Sequence, residues 1–162
     1  MEQSEYIKIV NTYGNTVYRI AYGYCRHTSD AEDVVQNVFI KLLQTKTAFQ
    51  DEEHIRKWLI RVAANESKNL CKSFWRKKML PLESSEEAWQ EMFEYPECSR
   101  LYEAVMELPD KYRIVIHLYY YEDYSVKEIA EILRLKETTV QTRLMRARGK
   151  LKVKLKEDWK DE

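Results

Sequence analysis

The chain has 162 residues, and its 27 basic and 27 acidic side chains give a formal net charge of zero. Apolar residues make up 44% of the chain, enough for hydrophobic cores, while only 3 glycines and 3 prolines argue against a turn-rich β-protein. No apolar run approaches the roughly 20 residues that span a bilayer, and the N-terminus is unlike a signal peptide. The sequence therefore predicts an all-α cytoplasmic protein without membrane insertion.

The side chains that commonly carry chemistry do not cluster in the sequence. Cys25, Cys71 and Cys98 are odd in number, and no pair of them has the spacing of metal ligands. The sequence also lacks a glycine-rich phosphate loop, a nucleophile elbow and a carboxylate pair with a histidine partner. We therefore predict no metal, no cofactor and no catalytic residue, and we do not expect an enzyme.

The neutral total conceals an uneven distribution of charge. Residues 55–80 carry eight basic side chains against the single acid Glu66, and residues 134–156 carry nine against Glu137. Between these segments, residues 81–97 carry six glutamates and no base. Salt screens electrostatic interactions over about 10 Å, so a bound polyanion is affected by the charge of the nearby segment rather than by the net charge of the chain. We therefore predict two small helical domains, 1–80 and 99–162, joined by an acidic linker, 81–98.

Apolar residues recur at helical spacing in three segments of the first domain. A capping box at residues 29–32 is predicted to begin the second helix, and the third helix is predicted to begin near Glu53. The predicted inner faces consist of Ile7, Val10, Tyr13, Val17, Ile20, Ala21 and Tyr24 in the first helix, Val34, Val35, Val38, Phe39 and Leu42 in the second, and Ile55, Leu59, Val62, Ala63 and Leu70 in the third.

The third helix also carries a polar stripe with intervals of three or four residues. Cations suit a nucleic-acid backbone, and amides suit unstacked bases, so the stripe is typical of contact with single-stranded or melting DNA. An ordinary solvated helix face is the alternative, but the near absence of acids favours DNA. The stripe contains Arg61, Asn65, Lys68, Lys72 and Arg76, with Asn69 beside it.

The second domain is predicted to end in a helix-turn-helix. Upstream helices are marked by Leu101, Val105 and Leu108, and by Pro109 at a first turn. The segment KEIAEILRLKETTVQTRLMRARGK then predicts a short helix, a break at residues 134–136 and a longer basic helix. A capping box formed by Ser125 and Glu128, the apolar inner face of the short helix and the short turn favour this motif over a surface helix packed on a bundle. The predicted inner faces contain Ile129, Ala130 and Leu133 in the short helix, and Val140, Leu144, Ala147 and Leu151 in the longer one.

The opposite face of the longer helix presents short hydroxyls, an amide and an arginine, which suit the edges of bases. These residues are Thr138, Thr142 and Met145, flanked by Thr139, Gln141 and Arg146. The arginines and lysines beside this face are better placed for phosphates. They are Arg143, Arg148, Lys150 and Lys152.

Three segments, in this order, resemble the bacterial sigma factors of the sigma-70 family, in its short extracytoplasmic-function (ECF) group. SDAEDVVQNVFIKLL resembles the segment that binds RNA polymerase, and HIRKWLIRVAANESKNLCKSFWRKK resembles the −10 element segment. ELPDKYRIVIHLYYYEDYSVKEIAEILRLKETTVQTRLMRARGKL resembles the −35 reader. The resemblance covers nearly the whole chain. It implies a sigma factor that binds core RNA polymerase and promoter DNA, helps to melt the duplex and pairs with an anti-sigma factor.

The resemblance also implies roles for individual residues. Asp33 and Gln36 match positions that contact the clamp of the largest polymerase subunit, and Asn37 stands where many members have glutamate. The loop at residues 48–52 matches the one that captures a flipped base. Asn65, Asn69 and Lys72 match −10 positions, and Gln141, Thr142, Met145 and Arg146 match base-facing positions of the −35 reader. Together with the polar stripe, the −10 contacts are predicted at Arg61, Asn65, Lys68, Asn69, Lys72 and Arg76. Together with the face of the longer helix, the −35 contacts are predicted at Thr138, Gln141, Thr142, Arg143, Met145 and Arg146.

Two other classes of protein share part of this pattern. A helix-turn-helix transcriptional regulator with a helical sensing or dimerisation domain leaves the basic segment 55–80 unexplained. A helical nuclease would need a cluster of metal-ligating carboxylates, which the sequence lacks.

Overall fold

The computed structural model describes residues 1–77 and 99–160, with side chains over residues 1–70 and 100–157. The chain divides into two compact units, Met1–Ser84 and Ser85–Glu162. Every regular element in the described ranges is helical, which confirms the predicted fold class. None of the helices in these ranges is long and apolar enough to cross a bilayer. The predicted acidic linker, 81–98, lies outside the described residues.

Within residues 1–77, the first unit contains three helices, α1 (Gln3–Cys25), α2 (Thr28–Gln44) and α3 (Glu52–Lys77), and each packs against the other two. Their shared core consists of aliphatic side chains at helical spacing. Burial of each such side chain contributes about 1.5–3 kcal/mol, so this core fixes which face of α2 and of α3 remains outside. The most deeply buried side chains include Val17, Ile20, Val34, Val38, Leu42, Leu59 and Ile60.

Two predictions for the first unit are wrong. Ile7 is 49% exposed, whereas Ile9 is buried, because the inner stripe of α1 begins at Ile9 and continues at Thr16, Val17 and Ile20. The capping box at residues 29–32 is also absent, since α2 begins at Thr28 after the N-cap residue and has no side-chain cap. The left-handed Arg26 ends α1 so abruptly that residue 29 already lies in the first turn of α2.

The second unit contains α4 (Ser99–Met106), α5 (Asp110–Ile116), a π-helical segment (His117–Tyr121), α6 (Val126–Leu133) and α7 (Glu137–Lys160). The long α7 packs against α4, α5 and α6. Leu101, predicted to face the core, is exposed, and Ala104 and Met106 fill the core there instead. Pro109 occupies the N-cap of α5, one position before the predicted first turn.

A buried arginine organises the turn between α4 and α5. Arg113 is 3% exposed, and its guanidinium donates hydrogen bonds of 2.9 Å to the carbonyl oxygens of Met106 and Leu108. It also pairs with Asp110 in the first turn of α5. A buried charge is tolerated when its donors are satisfied in this way. Arg113 therefore ties the beginning of α5 to the end of α4.

Candidate nucleic-acid and polymerase interfaces

The second unit contains the predicted helix-turn-helix. The N–H of Glu128 donates to Ser125 Oγ at 3.1 Å, and the N–H of Ser125 donates to Glu128 Oε1 at 3.2 Å, so the predicted capping box is present. Arg134 ends α6 in the left-handed conformation, with φ of 54°, and its N–H donates to the carbonyl of Ala130. Turns of this kind commonly use glycine, because a side chain at this conformation costs of order 1–2 kcal/mol.

The face of α7 opposite the core presents the residues predicted to bind the −35 element. Val140, Leu144 and Ala147 are buried, as predicted. On the other side Met145 is 64% exposed, and the Thr142 hydroxyl donates to the carbonyl of Thr138 at 2.9 Å, which leaves its oxygen free to accept. The structure thus brings the six predicted residues onto one helix: Thr138, Gln141, Met145 and Arg146 are exposed, and Thr142 and Arg143 are half-buried.

Tyrosines outside the helix-turn-helix contact an arginine of α7, an arrangement that the sequence interpretation missed. Arg148 Nε donates to the Tyr120 hydroxyl at 2.6 Å, and its guanidinium lies 5.3 Å from the ring centroid of Tyr119 and 5.5 Å from that of Tyr120. Arg146 of α7 lowers the pKa of the Tyr112 hydroxyl in α5, and the charges of Lys111 and Lys150 act in the same direction. The run of three tyrosines at residues 119–121 was the sequence signal that could have indicated the contacts of Arg148.

The polar stripe on α3 lies opposite its buried face. Asn65, Lys68 and Asn69 are exposed and Arg61 is half-buried, whereas Ile60 and its neighbours on the inner face are buried. The side chains of the two remaining predicted −10 residues, Lys72 and Arg76, lie outside the described residues, although both belong to α3.

The one acid in the basic segment 55–80 is paired across the unit. Glu66 forms an ion pair with Lys41 of α2, and its side chain is largely buried. This carboxylate is therefore compensated by a cation of another helix. The net positive charge of the α3 stripe therefore remains on the solvent-facing surface, where it can attract a nucleic acid.

An aromatic cluster shapes the loop before α3, which includes the residues predicted to capture a flipped base. The ring of Phe49 lies 5.2 Å from that of His54 and 5.6 Å from that of Trp58, both in edge-to-face geometry. The N–H of Gln50 donates to His54 Nδ1 at 3.1 Å, and Asp51 Oδ1 accepts from the N–H of His54 at 2.8 Å. These contacts anchor the loop to the first two turns of α3.

The outer face of α2 carries the three residues predicted to bind polymerase. Asp33, Gln36 and Asn37 are all exposed, because Val34 and Val38 are buried on the other side of the helix. The same outer face continues into two exposed apolar side chains, which the sequence interpretation did not assign to it. These side chains are Ile40 and Leu43. Exposed apolar side chains that adjoin such a face are typical of a protein-binding surface.

These features define a class of protein. One helical unit holds a helix-turn-helix with an exposed, basic second helix, and the other holds a second basic helix beside an exposed face suited to protein contact. The described structure is that of a helical DNA-binding protein with two domains.

Comparison with known proteins gives the family. The model of Sigma-70 region 2 matches residues 9–79, and the model of Sigma-70 region 4 matches residues 98–151. RNA polymerase sigma factor SigV of Bacillus subtilis is 30% identical, over 87% of this chain and 86% of the relative. ECF RNA polymerase sigma factor SigW of the same organism is 28% identical, over 96% of this chain and 91% of the relative. The chain therefore belongs to the ECF group of the sigma-70 family.

Solved structures agree with this assignment. CnrH, solved in complex with the cytosolic domain of CnrY, is 25% identical with a TM-score of 0.71, over 97% of this chain and 91% of CnrH. RpoE of Bartonella quintana, solved with the anti-sigma factor NepR, shares the fold with a TM-score of 0.72 at 18% identity, over 94% of this chain and 97% of RpoE. As a sigma factor the protein directs promoter recognition by RNA polymerase and is not itself an enzyme. The regulator and nuclease alternatives are therefore wrong.

Proposed function

We propose that three helix faces divide the work of this sigma factor. The outer face of α2 binds the clamp of the largest polymerase subunit, α3 binds and helps to open the −10 element, and α7 binds the −35 element. The corresponding domains are 1–80 for polymerase and the −10 element, 81–98 for the linker and 99–162 for the −35 element. The polymerase contacts are Asp33, Gln36 and Asn37; the −10 contacts are Arg61, Asn65, Lys68, Asn69, Lys72 and Arg76; the −35 contacts are Thr138, Gln141, Thr142, Arg143, Met145 and Arg146.

The observation that supports the polymerase contact is the division of α2 into a buried and an exposed face. Val34 and Val38 are fully buried, so Asp33 and Gln36 cannot turn inward without breaking the core. Both polar side chains are exposed, and exposed Leu43 extends the same face with apolar surface. A carboxylate, an amide and an adjoining apolar patch suit a partner protein with a complementary charge.

The two DNA faces differ in the chemistry that they offer. On α3, the exposed Asn65 and Asn69 can donate to and accept from unstacked bases, while Lys68 supplies charge for the backbone. On α7, Gln141 and Arg146 are exposed, and these side-chain types can form bidentate bonds to adenine and guanine in the major groove. These differences support melting at the first face and duplex recognition at the second.

The remaining partners follow from the family. Sigma factors bind core RNA polymerase and promoter DNA, and we assign both partners to this chain. An anti-sigma factor is a further proposed partner, because the fold is that of RpoE, which was solved with one. We place the protein in the cytoplasm, where polymerase works.

The polymerase contact is tested by charge reversal on α2. Asp33→Arg should abolish co-purification of the purified chain with core polymerase, because it places a cation where the partner surface accepts an anion. Glu5→Arg is the matched control: residue 5 is also an exposed acid, but it lies on α1 rather than on the outer face of α2. It should retain core binding.

Circular dichroism of both variants should show unchanged helix content. Retained binding by Asp33→Arg would refute the assignment of this face. Equal loss with both variants would mean that the total charge of the chain matters rather than the Asp33 position.

A further inference from the structure

The hydroxyl of Tyr120 and the guanidinium of Arg148 form a polar pair at the surface of the second unit. Arg148 Nε donates to the Tyr120 hydroxyl oxygen at 2.6 Å. The same guanidinium lies 5.3 Å from the ring centroid of Tyr119 and 5.5 Å from that of Tyr120, within the range of about 6 Å for cation–π contacts. Arg148 is nevertheless exposed, and Tyr120 is 56% exposed. The tyrosines therefore hold the arginine without removing it from solvent.

The π-helical segment fixes the position of the two tyrosines. The N–H of Glu122 donates to the carbonyl of His117 at 3.1 Å, which closes the wide turn of the π-helix. A second hydrogen bond, of 3.2 Å, joins His117 Nε2 to Glu122 Oε1, and both side chains are largely buried. Within this turn the rings of Tyr119 and Tyr120 lie edge to face, with their centroids 4.9 Å apart. Arg148 thus contacts an aromatic pair on a backbone segment that is itself held in place.

The pair retains hydrogen-bond donors for an anion. A phenol hydroxyl that accepts one hydrogen bond keeps its own O–H to donate, and an arginine that donates through Nε keeps the N–H groups of both Nη atoms. The guanidinium fork matches the oxygens of a phosphate. Together, Tyr120 and Arg148 offer the donors and the charge that a phosphate group requires.

Arg148 also lies beside the face of α7 that is predicted to contact bases. It follows Met145 by three residues and Gln141 by seven, and residues at these spacings lie along one side of a helix. Lys152 follows Arg148 by four residues and is also exposed. Two cations at this spacing repel each other, and a bound phosphate would relieve that repulsion. The position therefore favours the DNA backbone as the partner of this pair.

We propose that Tyr120 and Arg148 form one binding site for a phosphate of the −35 DNA backbone, and that the π-helical segment completes this site. The Tyr120 O–H and the Nη groups of Arg148 donate to oxygens of the same phosphate, while the bond from Nε to the hydroxyl holds the guanidinium in the required orientation. The inference rests on the proposed binding of the −35 element by α7. It adds a DNA contact from outside the helix-turn-helix.

The test removes one hydroxyl at a time from the aromatic pair. Tyr120→Phe removes the hydroxyl that Arg148 contacts and keeps the ring. Tyr119→Phe is the matched control, because it makes the same chemical change in a neighbouring ring that contacts Arg148 through its face. Arg148→Lys keeps the charge but lacks the guanidinium fork. Each full-length variant is assembled with core polymerase, and its affinity for promoters that differ at single −35 positions is measured over a range of salt concentrations.

Tyr120→Phe should weaken every promoter alike by roughly 2- to 10-fold, the factor that corresponds to one net hydrogen bond. The loss should be uniform because a phosphate is the same in every sequence, and the dependence on salt should be retained because no charge is removed. Arg148→Lys should behave in the same way. Arg148→Ala should reduce the slope of log affinity against log salt by about 0.9, the value for one phosphate contact. Tyr119→Phe should bind as the unaltered chain does.

The double variant tests whether the two side chains act together. Combining Tyr120→Phe with Arg148→Ala should weaken binding by less than the product of the two separate factors, because both groups bind one phosphate. A loss equal to that product would overturn the shared site. Equal weakening by Tyr119→Phe and Tyr120→Phe would also overturn it, since only the Tyr120 hydroxyl contacts Arg148.

The remaining outcomes separate the inference from the proposed function. If Arg146→Ala changes preference at one −35 position but Tyr120→Phe leaves affinity unchanged, only the inference is overturned. If Arg146→Ala and Arg148→Ala both leave promoter affinity unchanged, α7 does not bind the −35 element, and the inference fails with the proposed function. Reduced assembly of Tyr120→Phe with core polymerase, at unchanged DNA affinity of the assembled fraction, would assign the pair to a protein contact and overturn the phosphate site.

Discussion

The two long basic helices, α3 and α7, have similar compositions but different surroundings. Arg148 of α7 contacts Tyr119 and Tyr120 of the π-helical segment, which restricts its motion. The stripe on α3 instead exposes Asn65, Lys68 and Asn69, and its acid is paired with Lys41 of α2. Neighbouring helices therefore decide whether a basic helix presents constrained arginines, suited to a rigid duplex, or exposed amides and lysines, suited to bases that have left the stack.

The largest expected effect concerns the buried side of α3. Ile60→Ala should lower the free energy of unfolding of the first unit by about 2–5 kcal/mol, because Ile60 is fully buried and its truncation leaves a cavity in the packed core. Chemical denaturation followed by circular dichroism measures this loss. Ile7→Ala makes the same change at an exposed position and should cost less than about 0.5 kcal/mol. Equal losses of stability in the two variants would show that burial of the inner face of α3 does not fix the orientation of its polar stripe.

The second prediction tests the exposed face of α7. Arg146→Ala should reduce binding by about 1–3 kcal/mol at one −35 base pair only, because a bidentate contact to that base is lost. Lys150→Ala should weaken all promoters alike and reduce the dependence of affinity on salt. Fluorescence anisotropy of holoenzyme with single-position promoter variants distinguishes the two. Equal loss on every sequence with Arg146→Ala would contradict base recognition by α7.

The third prediction tests the exposed amides of α3. Asn65→Ala should weaken binding to a promoter with a pre-melted −10 element by about 1 kcal/mol, the value of one hydrogen bond. The same variant should bind a fully duplex −35 fragment as well as the unaltered chain does. A sharp effect on duplex binding would mean that α3 recognises paired rather than unstacked DNA.

The smallest expected effect concerns the ion pair between α2 and α3. Glu66→Gln should lower the stability of the first unit by only about 0.2–1 kcal/mol, because Lys41 is half-exposed and water screens the pair. It should also tighten −10 binding slightly at low salt, since Lys41 then adds to the positive field. Glu53→Gln, which breaks the exposed pair with Arg56, is the control for the charge change. Identical salt dependence in both variants would assign the gain to net charge alone.

Periodicity in the sequence predicted most of the fold. Most residues of the predicted inner faces of α2, α3 and α7 are buried, because aliphatic residues recur there at intervals of three and four. The exceptions are half-buried: Val35, Val62, Leu70 and Leu151. The capping box of α6 was found for a similar reason, since both partners lie within one turn. Local patterns of this kind require no knowledge of distant residues.

The errors and omissions have a common physical cause. The start of α2 was misplaced because the left-handed Arg26 was not indicated by any glycine or asparagine. The contacts between Lys41 and Glu66 and between Tyr120 and Arg148 join separate helices, so only the packing of those helices brings the partners together. The exposed faces of the candidate sites could thus be predicted, but the side chains that constrain them could not.

The arginine that ties α4 to α5 has a consequence for cells whose internal acidity changes. A guanidinium stays protonated at any pH at which a protein is folded, and the carbonyl oxygens of Met106 and Leu108 do not titrate. The carboxylate of Asp110, which also pairs with Arg113, is half-exposed. A histidine or a buried lysine at this place would make the turn a proton sensor. With Arg113 there, two bonds that do not depend on pH hold the turn between α4 and α5, and its geometry is expected to stay constant as the pH falls.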